Sequence, residues 1–196
     1  MPLEAFAHAV PSVKHTAADI ARWTGADQQF IENKVGLKTR YVLGEGETGV
    51  SLSKQACENL FATHPGLKEK ISLVVNVTQT PDHRLPQNSA ALVDRLGLPV
   101  STASFDISLG CSGYVYGAVV AQSFLKATGG SEALLVTCDP YSRIIEPHDK
   151  DTNCVFGDAA AVTWVTAGES RCKILATDFG TDGEKVYPTS HGTGFA

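Results

Sequence analysis

The feature that most constrains the fold is a central alternation of short apolar runs with helix-like segments. Ile71–Val77 is apolar and rich in β-branched residues, which is typical of a strand covered on both faces. Residues 105–109 and Glu132–Cys138 predict two further strands, and residues 88–96 and 113–126 predict the helices between them. Strands that alternate with helices favour parallel pairing, so we predict an α/β protein with its site at the carboxyl ends of strands.

The two ends of the chain show weaker patterns. Helices are predicted over residues 16–35, with an interruption near Gly25, and over residues 52–61; extended segments are predicted over residues 35–43, 156–165 and 172–179. Residues 78–87 and 141–153 are polar or proline-containing and are predicted to be loops. After residue 179 the chain becomes glycine-rich and polar, with no pattern typical of a packed element.

Cys111 lies at the junction of a predicted strand and a predicted buried helix. Glycines at 110 and 113 permit a tight turn there. The unpaired N–H groups and the positive end of the helix dipole would favour a thiolate and could stabilise an oxyanion. Cysteine is also among the most buried residue types, so a structural thiol is the alternative interpretation.

Composition excludes several classes of function. The net charge of −5 disfavours nucleic acid or an anionic membrane as the main partner. The five cysteines are widely spread and show no metal-ligand spacing, so we expect free thiols and no metal site. The N-terminal residues lack the pattern of a signal peptide, and no apolar run is long enough for a membrane span, so a cytoplasmic location is expected.

Two local patterns each allow a functional and a structural interpretation. Lys38 and Arg40 share one face of an extended segment, either as a solvated face or as an anchor for phosphates. Residues 44–49, GEGETG, match the G-x-G-x-x-G pattern of dinucleotide sites. Two glutamates in that turn would repel a pyrophosphate, and the preceding strand does not open a Rossmann unit, so we predict an acidic loop instead.

Four stretches together resemble a known family. They are residues 30–40 (FIENKVGLKTR), 78–86 (TQTPDHRLP), 106–113 (DISLGCSG) and 156–161 (FGDAAA). The chain resembles the N-terminal half of a thiolase-fold condensing enzyme, of the β-ketoacyl-acyl-carrier-protein synthase III group.

The resemblance implies a thiolase-like α/β fold in which a layered mixed sheet packs with helices, one of two similar halves. Residues 1–179 would form the N-terminal half with the nucleophilic cysteine, and residues 180–196 a glycine-rich tail leading toward an absent C-terminal half. The resemblance also implies a homodimer, paired through the sheet that contains Glu132–Cys138.

The activity implied is that of an acyltransferase in fatty-acid or polyketide-like biosynthesis. Cys111 would accept an acyl group from acyl-coenzyme A as a thioester, which is then condensed with a malonyl group on acyl carrier protein. Acyl-coenzyme A is a substrate here, and no permanently bound cofactor is implied. The assisting histidine and asparagine belong to the second half. Without it, one of the loop histidines His83, His148 or His191 would have to act as the base, or a partner chain would supply it.

For the coenzyme, the resemblance matches Phe30 to an adenine-stacking position and Lys38, Arg40 and Lys150 to phosphate-binding positions. The family often has tryptophan at the first, and lysine provides a point charge rather than arginine's planar fork. The segment 157–161, GDAAA, also departs from the family's alternation of glycine and alanine. Two alternatives stay open: acyl transfer without decarboxylative condensation, and a non-catalytic partner subunit of a condensing enzyme.

Overall fold

A computed structural model describes residues 2–170 and 172–183. The strands are β1 (Pro2–Ala9), β2 (Val13–Thr16), β3 (Thr39–Val42), β4 (Ile71–Val77), β5 (Ala103–Ile107), β6 (Glu132–Cys138), β7 (Ala160–Thr166) and β8 (Cys172–Lys173). The helices are α1 (Ala17–Thr24), α2 (Gln28–Phe30), α3 (Gly49–Thr63), α4 (Asn88–Arg95), α5 (Gly113–Thr128) and α6 (Lys150–Asn153). A π-helical turn covers Ile31–Val35, and 3-10 turns cover Lys68–Lys70 and Tyr141–Arg143.

The described strands form a mixed sheet of six strands in the order β5-β4-β6-β7-β1-β8, and β2 and β3 form a separate antiparallel pair. The strand β4 pairs in parallel with both β5 and β6, whereas β6–β7, β7–β1 and β1–β8 are antiparallel. The parallel core of the prediction is therefore confirmed. The carboxyl ends of β4, β5 and β6 meet the start of β7 at one edge of the sheet.

Helices cover both faces of the sheet, as the apolar run in β4 predicts. Side chains alternate along the strand, so Val74 enters the cluster packed under α3 and α4, while Leu73 and Val75 enter the cluster under α5. All three are fully buried. Burial on both faces explains why β4 carries no polar alternation. None of the helices in the described part of the chain is both long and apolar enough to span a membrane.

The helix α5 lies very close to the sheet because two glycines face it. A Cβ on Gly117 would lie 2.6 Å from Leu135 Cδ1, and a Cβ on Gly113 would collide with Val77 Cγ1. The two glycines are four residues apart and therefore share a helix face. Their missing side chains let the first turns of α5 approach β4 and β6, which fixes the position of the residues just before the helix.

The N-terminal region differs most from the prediction. The single helix expected over residues 16–35 is divided, and α1 ends at Gly25, whose φ of 70° is the left-handed conformation that glycine adopts readily. A capping box between Thr16 and Asp19 starts that helix. The strand β1 was not predicted because its apolar positions are mostly alanine, a residue depleted in strands. The strand predicted over residues 172–179 is limited to Cys172–Lys173.

Asp82 connects the loop after β4 to the start of α3. Its carboxylate accepts hydrogen bonds from the N–H groups of Gly49 and Val50, at 2.9 and 2.8 Å, and pairs with Arg143 at 2.7 Å. Burial opposes ionisation of Asp82, but these partners hold its pKa below the usual value. The carboxylate occupies the helix N-terminus at which a pyrophosphate would bind after residues 44–49.

One buried polar residue interrupts the core of the sheet. Asn76 on β4 is 1% exposed, and neither atom of its amide has a hydrogen-bond partner among the described residues. It shares a strand face with Val74 and pairs across the sheet with Val136. Its desolvated amide therefore reduces the stability of the fold.

We expect Asn76→Val to raise the free energy of unfolding by about 1–2 kcal/mol, because it removes two unpaired polar atoms from an apolar site. Urea unfolding measures the change. Asn59→Val is the matched control: Asn59 is exposed and donates to His8 O at 2.9 Å, so this substitution should give no gain. A loss of stability in Asn76→Val would contradict the prediction.

Candidate active site

A cavity of about 560 Å³ opens where the carboxyl ends of the parallel strands meet the start of β7. Residues from each of these elements contribute to its lining, and Cys111 is among them. The lining residues are Val77, Gln79, Gly110, Cys111, Tyr114, Thr137, Cys138, Asp139, Tyr141, Phe156, Gly157, Ala159 and Ala161. The site therefore lies at the sheet edge at which the α/β pattern predicts it.

Cys111 is exposed in the short connection between β5 and α5. The N–H group of Gly113 donates to Gly110 O at 2.8 Å, which closes a tight turn around the cysteine. Ser112 occupies the N-cap position of α5, and its side chain makes no capping hydrogen bond. The geometry leaves the thiol open to the cavity beside the start of a 16-residue helix.

The remaining cysteines of the chain lie in different environments. Cys57, Cys138 and Cys154 are buried, and burial raises the pKa of the Cys57 and Cys138 thiols to about 12. Cys172 is exposed, but it lies on β8 at the opposite edge of the sheet from β5. Cys111 is thus the exposed thiol that lies in a cavity.

The wall of the cavity beside Cys111 is polar. Tyr141 donates a hydrogen bond from its hydroxyl group to Gln79 Oε1, and Asp139 Oδ1 accepts from Gln79 N at 2.6 Å. Burial raises the pKa of Tyr141, and the nearby Asp139 and Cys111 act in the same direction, so the hydroxyl stays neutral. The sequence analysis did not select Gln79 or Tyr141. Each follows closely after a strand of the parallel pair β4 and β6, and this position was the signal that could have indicated them.

Ala159 and Ala161 are exposed to the cavity at the start of β7, whereas Ala160 between them is buried in the core. The extra methyl groups in the segment 157–161 therefore form part of the cavity wall. Gly157 still lets the backbone pass close to the backbone of Tyr41, because a Cβ on Gly157 would lie 3.2 Å from the backbone oxygen of Tyr41. The strand expected in this segment is present, but it begins at Ala160 rather than at residue 156.

Three of the four predicted substrate-binding residues lie at the surface. Phe30 is 52% exposed at the end of α2, and the side chains of Lys38 and Lys150 are solvent-accessible. Lys38 precedes β3 and Lys150 begins α6. Within the part of the chain that the structure describes, none of these three side chains makes a hydrogen bond or a ring contact, and a ligand could reach each of them.

Arg40 differs from the prediction. The sequence predicted that Arg40 shares an exposed face with Lys38, but Arg40 is only 9% exposed. Its guanidinium donates to the backbone oxygens of Asn153 and Phe156 and, at 2.5 Å, to Asn153 Oδ1. These bonds direct the cation into the protein, where it joins β3 to the end of α6. Arg40 therefore makes structural contacts in this geometry, and the expectation that it meets phosphates stays a prediction.

Lys34 is a basic residue that the sequence reasoning did not select. It lies four residues after Phe30 in the π-helical turn Ile31–Val35, and its side chain is exposed. Residues at this spacing lie on neighbouring positions of a helical surface. The signal that could have indicated Lys34 was its position four residues after the aromatic Phe30.

No histidine lines the Cys111 cavity among the described residues. His83 lines a different cavity, beside Asp82 and Arg143, and His148 Nδ1 lies 2.8 Å from Trp23 O. His191, the third histidine considered, lies outside the described residues, as does the tail after residue 183.

Comparison with known proteins agrees with this arrangement. The sequence profile of 3-oxoacyl-[acyl-carrier-protein] synthase III matches residues 105–183, which include the cysteine segment. The beta-ketoacyl-[acyl-carrier-protein] synthase III of Rhizobium rhizogenes is 29% identical over 96% of this chain and 62% of its own length. The enzyme numbered III 5 of Streptomyces coelicolor is 32% identical over 89% of this chain and 52% of its own length.

Solved structures with these names share the fold. A crystal structure of 3-oxoacyl-(acyl-carrier-protein) synthase III superimposes with a TM-score of 0.86 and 32% identity, covering 93% of this chain and 55% of its own. The Pseudomonas aeruginosa enzyme gives a TM-score of 0.85 and 27% identity, over 94% of this chain and 56% of its own. By sequence and by fold, the chain is similar to β-ketoacyl-acyl-carrier-protein synthase III enzymes over about half of their length. The resemblance seen in the sequence and the thiolase-like fold are thereby confirmed.

The chain spans a little over half the length of the synthase III relatives that it matches. Those relatives are named beta-ketoacyl- or 3-oxoacyl-[acyl-carrier-protein] synthase III. The segment that matches the synthase III profile includes the strand-to-helix turn that carries Cys111.

Proposed function

We propose that this chain is the cysteine-bearing half of an acyltransferase that condenses an acyl group with a malonyl thioester, as in fatty-acid or polyketide-like biosynthesis. One observation carries the proposal: Cys111 is an exposed thiol in a cavity at the carboxyl edge of the parallel strands, directly before α5. The family names of the relatives support the same chemistry.

In the first step, the Cys111 thiolate attacks the carbonyl carbon of an acyl-coenzyme A thioester. The carbonyl electrons move to oxygen, and backbone N–H groups near the start of α5 can stabilise this oxyanion. The tetrahedral intermediate collapses, the bond to the coenzyme's sulfur breaks, and coenzyme A leaves as a thiolate that takes up a proton. The acyl group remains on Cys111 as a thioester.

In the second step, a malonyl group on acyl carrier protein loses carbon dioxide. The released electron pair attacks the carbonyl carbon of the acyl-cysteine, a carbon–carbon bond forms, and the Cys111 thiolate is expelled. The histidine and asparagine that the family uses here would come from a second half of the protein, to which residues 180–196 would lead. The domain division at residue 179 belongs to this proposal.

For the coenzyme, we propose that Phe30 stacks on the adenine and that Lys34, Lys38 and Lys150 meet the phosphates. All four side chains are exposed. Arg40 is left out because its guanidinium already serves three protein acceptors. Lysines bind phosphate as point charges, so this set gives attraction with little directional specificity.

Dimerisation and location complete the proposal. The sheet that contains β6 ends in β5, an edge strand whose outer hydrogen-bonding groups are available to a second copy. We propose a homodimer through this sheet, which analytical ultracentrifugation would test. Acyl carrier protein as partner is likewise a prediction from the family, and a cytoplasmic location stays a prediction from the sequence pattern.

The decisive experiment is to incubate the protein with acetyl-, butyryl- or octanoyl-coenzyme A and measure its intact mass, followed by peptide mapping. We expect an acyl group on the Cys111 peptide that neutral hydroxylamine removes, because thioesters are labile to it. Addition of malonyl-acyl carrier protein to the complete enzyme should then discharge Cys111 and yield a β-ketoacyl product.

Other outcomes identify the alternatives. An acyl-Cys111 that transfers to other acceptors but never condenses with the malonyl thioester would indicate simple acyl transfer. No acylation by any of the three coenzyme A donors or by acyl-acyl carrier protein would overturn the proposal and favour a non-catalytic partner subunit.

A further inference from the structure

A second cavity, of about 340 Å³, lies beside the antiparallel pair of β2 and β3, and we call it the His15 cavity after one of its lining residues. Its walls come from these two strands, from α1 and from the connection between β6 and β7. Among the described residues, neither Cys111 nor any residue proposed for the coenzyme lines it. The His15 cavity is therefore separate from the site described above.

A buried cation borders the His15 cavity and has no carboxylate partner. Arg40 is 9% exposed and makes no ion pair within the described part of the chain. Its guanidinium donates only to neutral oxygens of Asn153 and Phe156, and its Nε has no hydrogen-bond partner there. Burial lowers the pKa of Arg40 and the charge of Asp158 raises it, but the carboxylate of Asp158 already accepts three other hydrogen bonds. Since buried charges are ordinarily paired, an anion would complete this place.

His15 supplies a second polar group at the same place. It lies directly opposite Arg40 in the β2–β3 pair, so the two side chains share one face of that pair. Its Nδ1 is buried and has no hydrogen-bond partner among the described residues, while its ring meets Trp23 edge-on with ring centroids 4.6 Å apart. With a proton on Nδ1, the ring is a hydrogen-bond donor. An anion that accepts from both residues would offset the cost of their desolvation.

Most of the remaining wall of the His15 cavity is apolar. The apolar and aromatic lining residues are Trp23, Val42, Leu43, Ile145, Pro147 and Phe156. Trp23 and Phe156 offer aromatic rings, against which another ring packs favourably. An inorganic ion would leave this surface unused, whereas a molecule with one ring and one carboxylate would contact both the apolar wall and the polar pair.

We propose that the His15 cavity binds a small aromatic carboxylate. The carboxylate accepts hydrogen bonds from Arg40 and His15, and the ring packs against Trp23 and Phe156. The volume of the cavity suits a small ligand, because small-molecule sites have volumes upward of about 300 Å³. This inference goes beyond the proposed acyl transfer and does not depend on it.

Binding to the full chain is measured by isothermal titration calorimetry with benzoate, its neutral analogue benzamide and inorganic phosphate. Benzoate should bind about tenfold more tightly than benzamide, because hydrogen bonds to a charged group are the stronger ones. Phosphate should bind more weakly than benzoate, since it buries no apolar surface. Equal affinity for benzoate and benzamide, or tighter binding of phosphate, would overturn the inference.

The fluorescence of Trp23 reports where benzoate binds. The chain has two tryptophans, and the other one, Trp164, lies on β7 and does not line the His15 cavity. In the Trp164→Phe protein, benzoate should change the emission of Trp23 with the dissociation constant that calorimetry gives. An emission that stays constant at saturating benzoate would mean that benzoate binds elsewhere, and the inference would fail.

His15→Leu and Arg40→Met each remove one polar group of the cavity. Each should weaken benzoate binding about tenfold and leave benzamide binding unchanged. Lys14→Leu is the matched control, because Lys14 is exposed and adjacent residues of a strand point to opposite faces. It removes a nearby positive charge but should leave the benzoate affinity unchanged. His15 makes no hydrogen bond within the described chain, so His15→Leu provides the test even if Arg40→Met does not fold. Unchanged benzoate binding in His15→Leu would contradict the assigned site.

Coenzyme A distinguishes the His15 cavity from the proposed coenzyme site. Saturating coenzyme A should leave the dissociation constant of benzoate unchanged. Competitive displacement of benzoate by coenzyme A would make the cavity a part of the coenzyme site and overturn the inference. Failure of every acyl-coenzyme A to acylate Cys111, with benzoate still bound as expected, would overturn the proposed function and support the separate site.

Discussion

Cys111→Ala should abolish transfer of an acyl group from acyl-coenzyme A to the protein, with a loss of at least about three orders of magnitude in the acylation rate. The reason is that the substitution removes the nucleophile while leaving its surroundings unchanged: Cys111 is exposed in a short turn, and its side chain supports no core cluster. The measurement is intact mass after incubation with acetyl-coenzyme A. The free energy of unfolding should stay within about 0.5 kcal/mol of the wild-type value.

Cys172→Ala provides a matched control, because Cys172 is also exposed but lies on β8, away from the cavity. It should be acylated like the wild type. The buried Cys57 and Cys138 cannot substitute for Cys111, since burial raises the pKa of their thiols to about 12 and the thiolate is the reactive form. Acylation that persisted in Cys111→Ala, or disappeared in Cys172→Ala, would contradict the assignment of the nucleophile.

The central part of the fold was predictable because local pattern and tertiary environment agree there. The strands β4 and β6 occupy the predicted residues, since an apolar β-branched run has few alternatives to a strand buried on both faces. The antiparallel direction of β7 arises instead because the connection of residues 139–159 re-enters the sheet at the edge where β6 ends, and the local pattern of β7 carries no information about that path. The alanine-rich β1 is stabilised by its pairing with β7 rather than by its own propensity.

The position of Cys111 was predictable for a related reason: a strand, a glycine turn and a helix adjoin in one short stretch of sequence. The pair of Gln79 and Tyr141 was not, because its members are 62 residues apart and meet only when β4 and β6 are neighbours. Arg40 shows the same limit. Its principal partner, Asn153, is 113 residues later in the chain, and no local pattern indicates that the guanidinium turns inward.

Arg40→Met should lower the free energy of unfolding by about 2–4 kcal/mol. The methionine retains most of the apolar stem, but the backbone oxygens of Asn153 and Phe156 and the side-chain oxygen of Asn153 lose their donor in a buried place. Because methionine is neutral, the variant no longer has to take a cation out of water, and this offsets part of the lost stability. Urea unfolding of the variant and the wild-type protein measures the difference, and Lys38→Met, at an exposed position, should change stability by less than about 0.5 kcal/mol.

The same variants separate a structural role from a role in binding the coenzyme. Under conditions where all proteins are folded, Arg40→Met should keep the wild-type KM for acyl-coenzyme A, whereas Lys34→Met and Lys150→Met should each raise it about two- to fivefold, because each removes an exposed charge that attracts phosphate. High salt should reduce the effect of both lysine substitutions, since exposed charges are screened. An Arg40→Met protein with wild-type stability and weakened coenzyme binding would mean that the guanidinium leaves Asn153 for the phosphates, and the phosphate-anchor interpretation of Lys38 and Arg40 would then be supported.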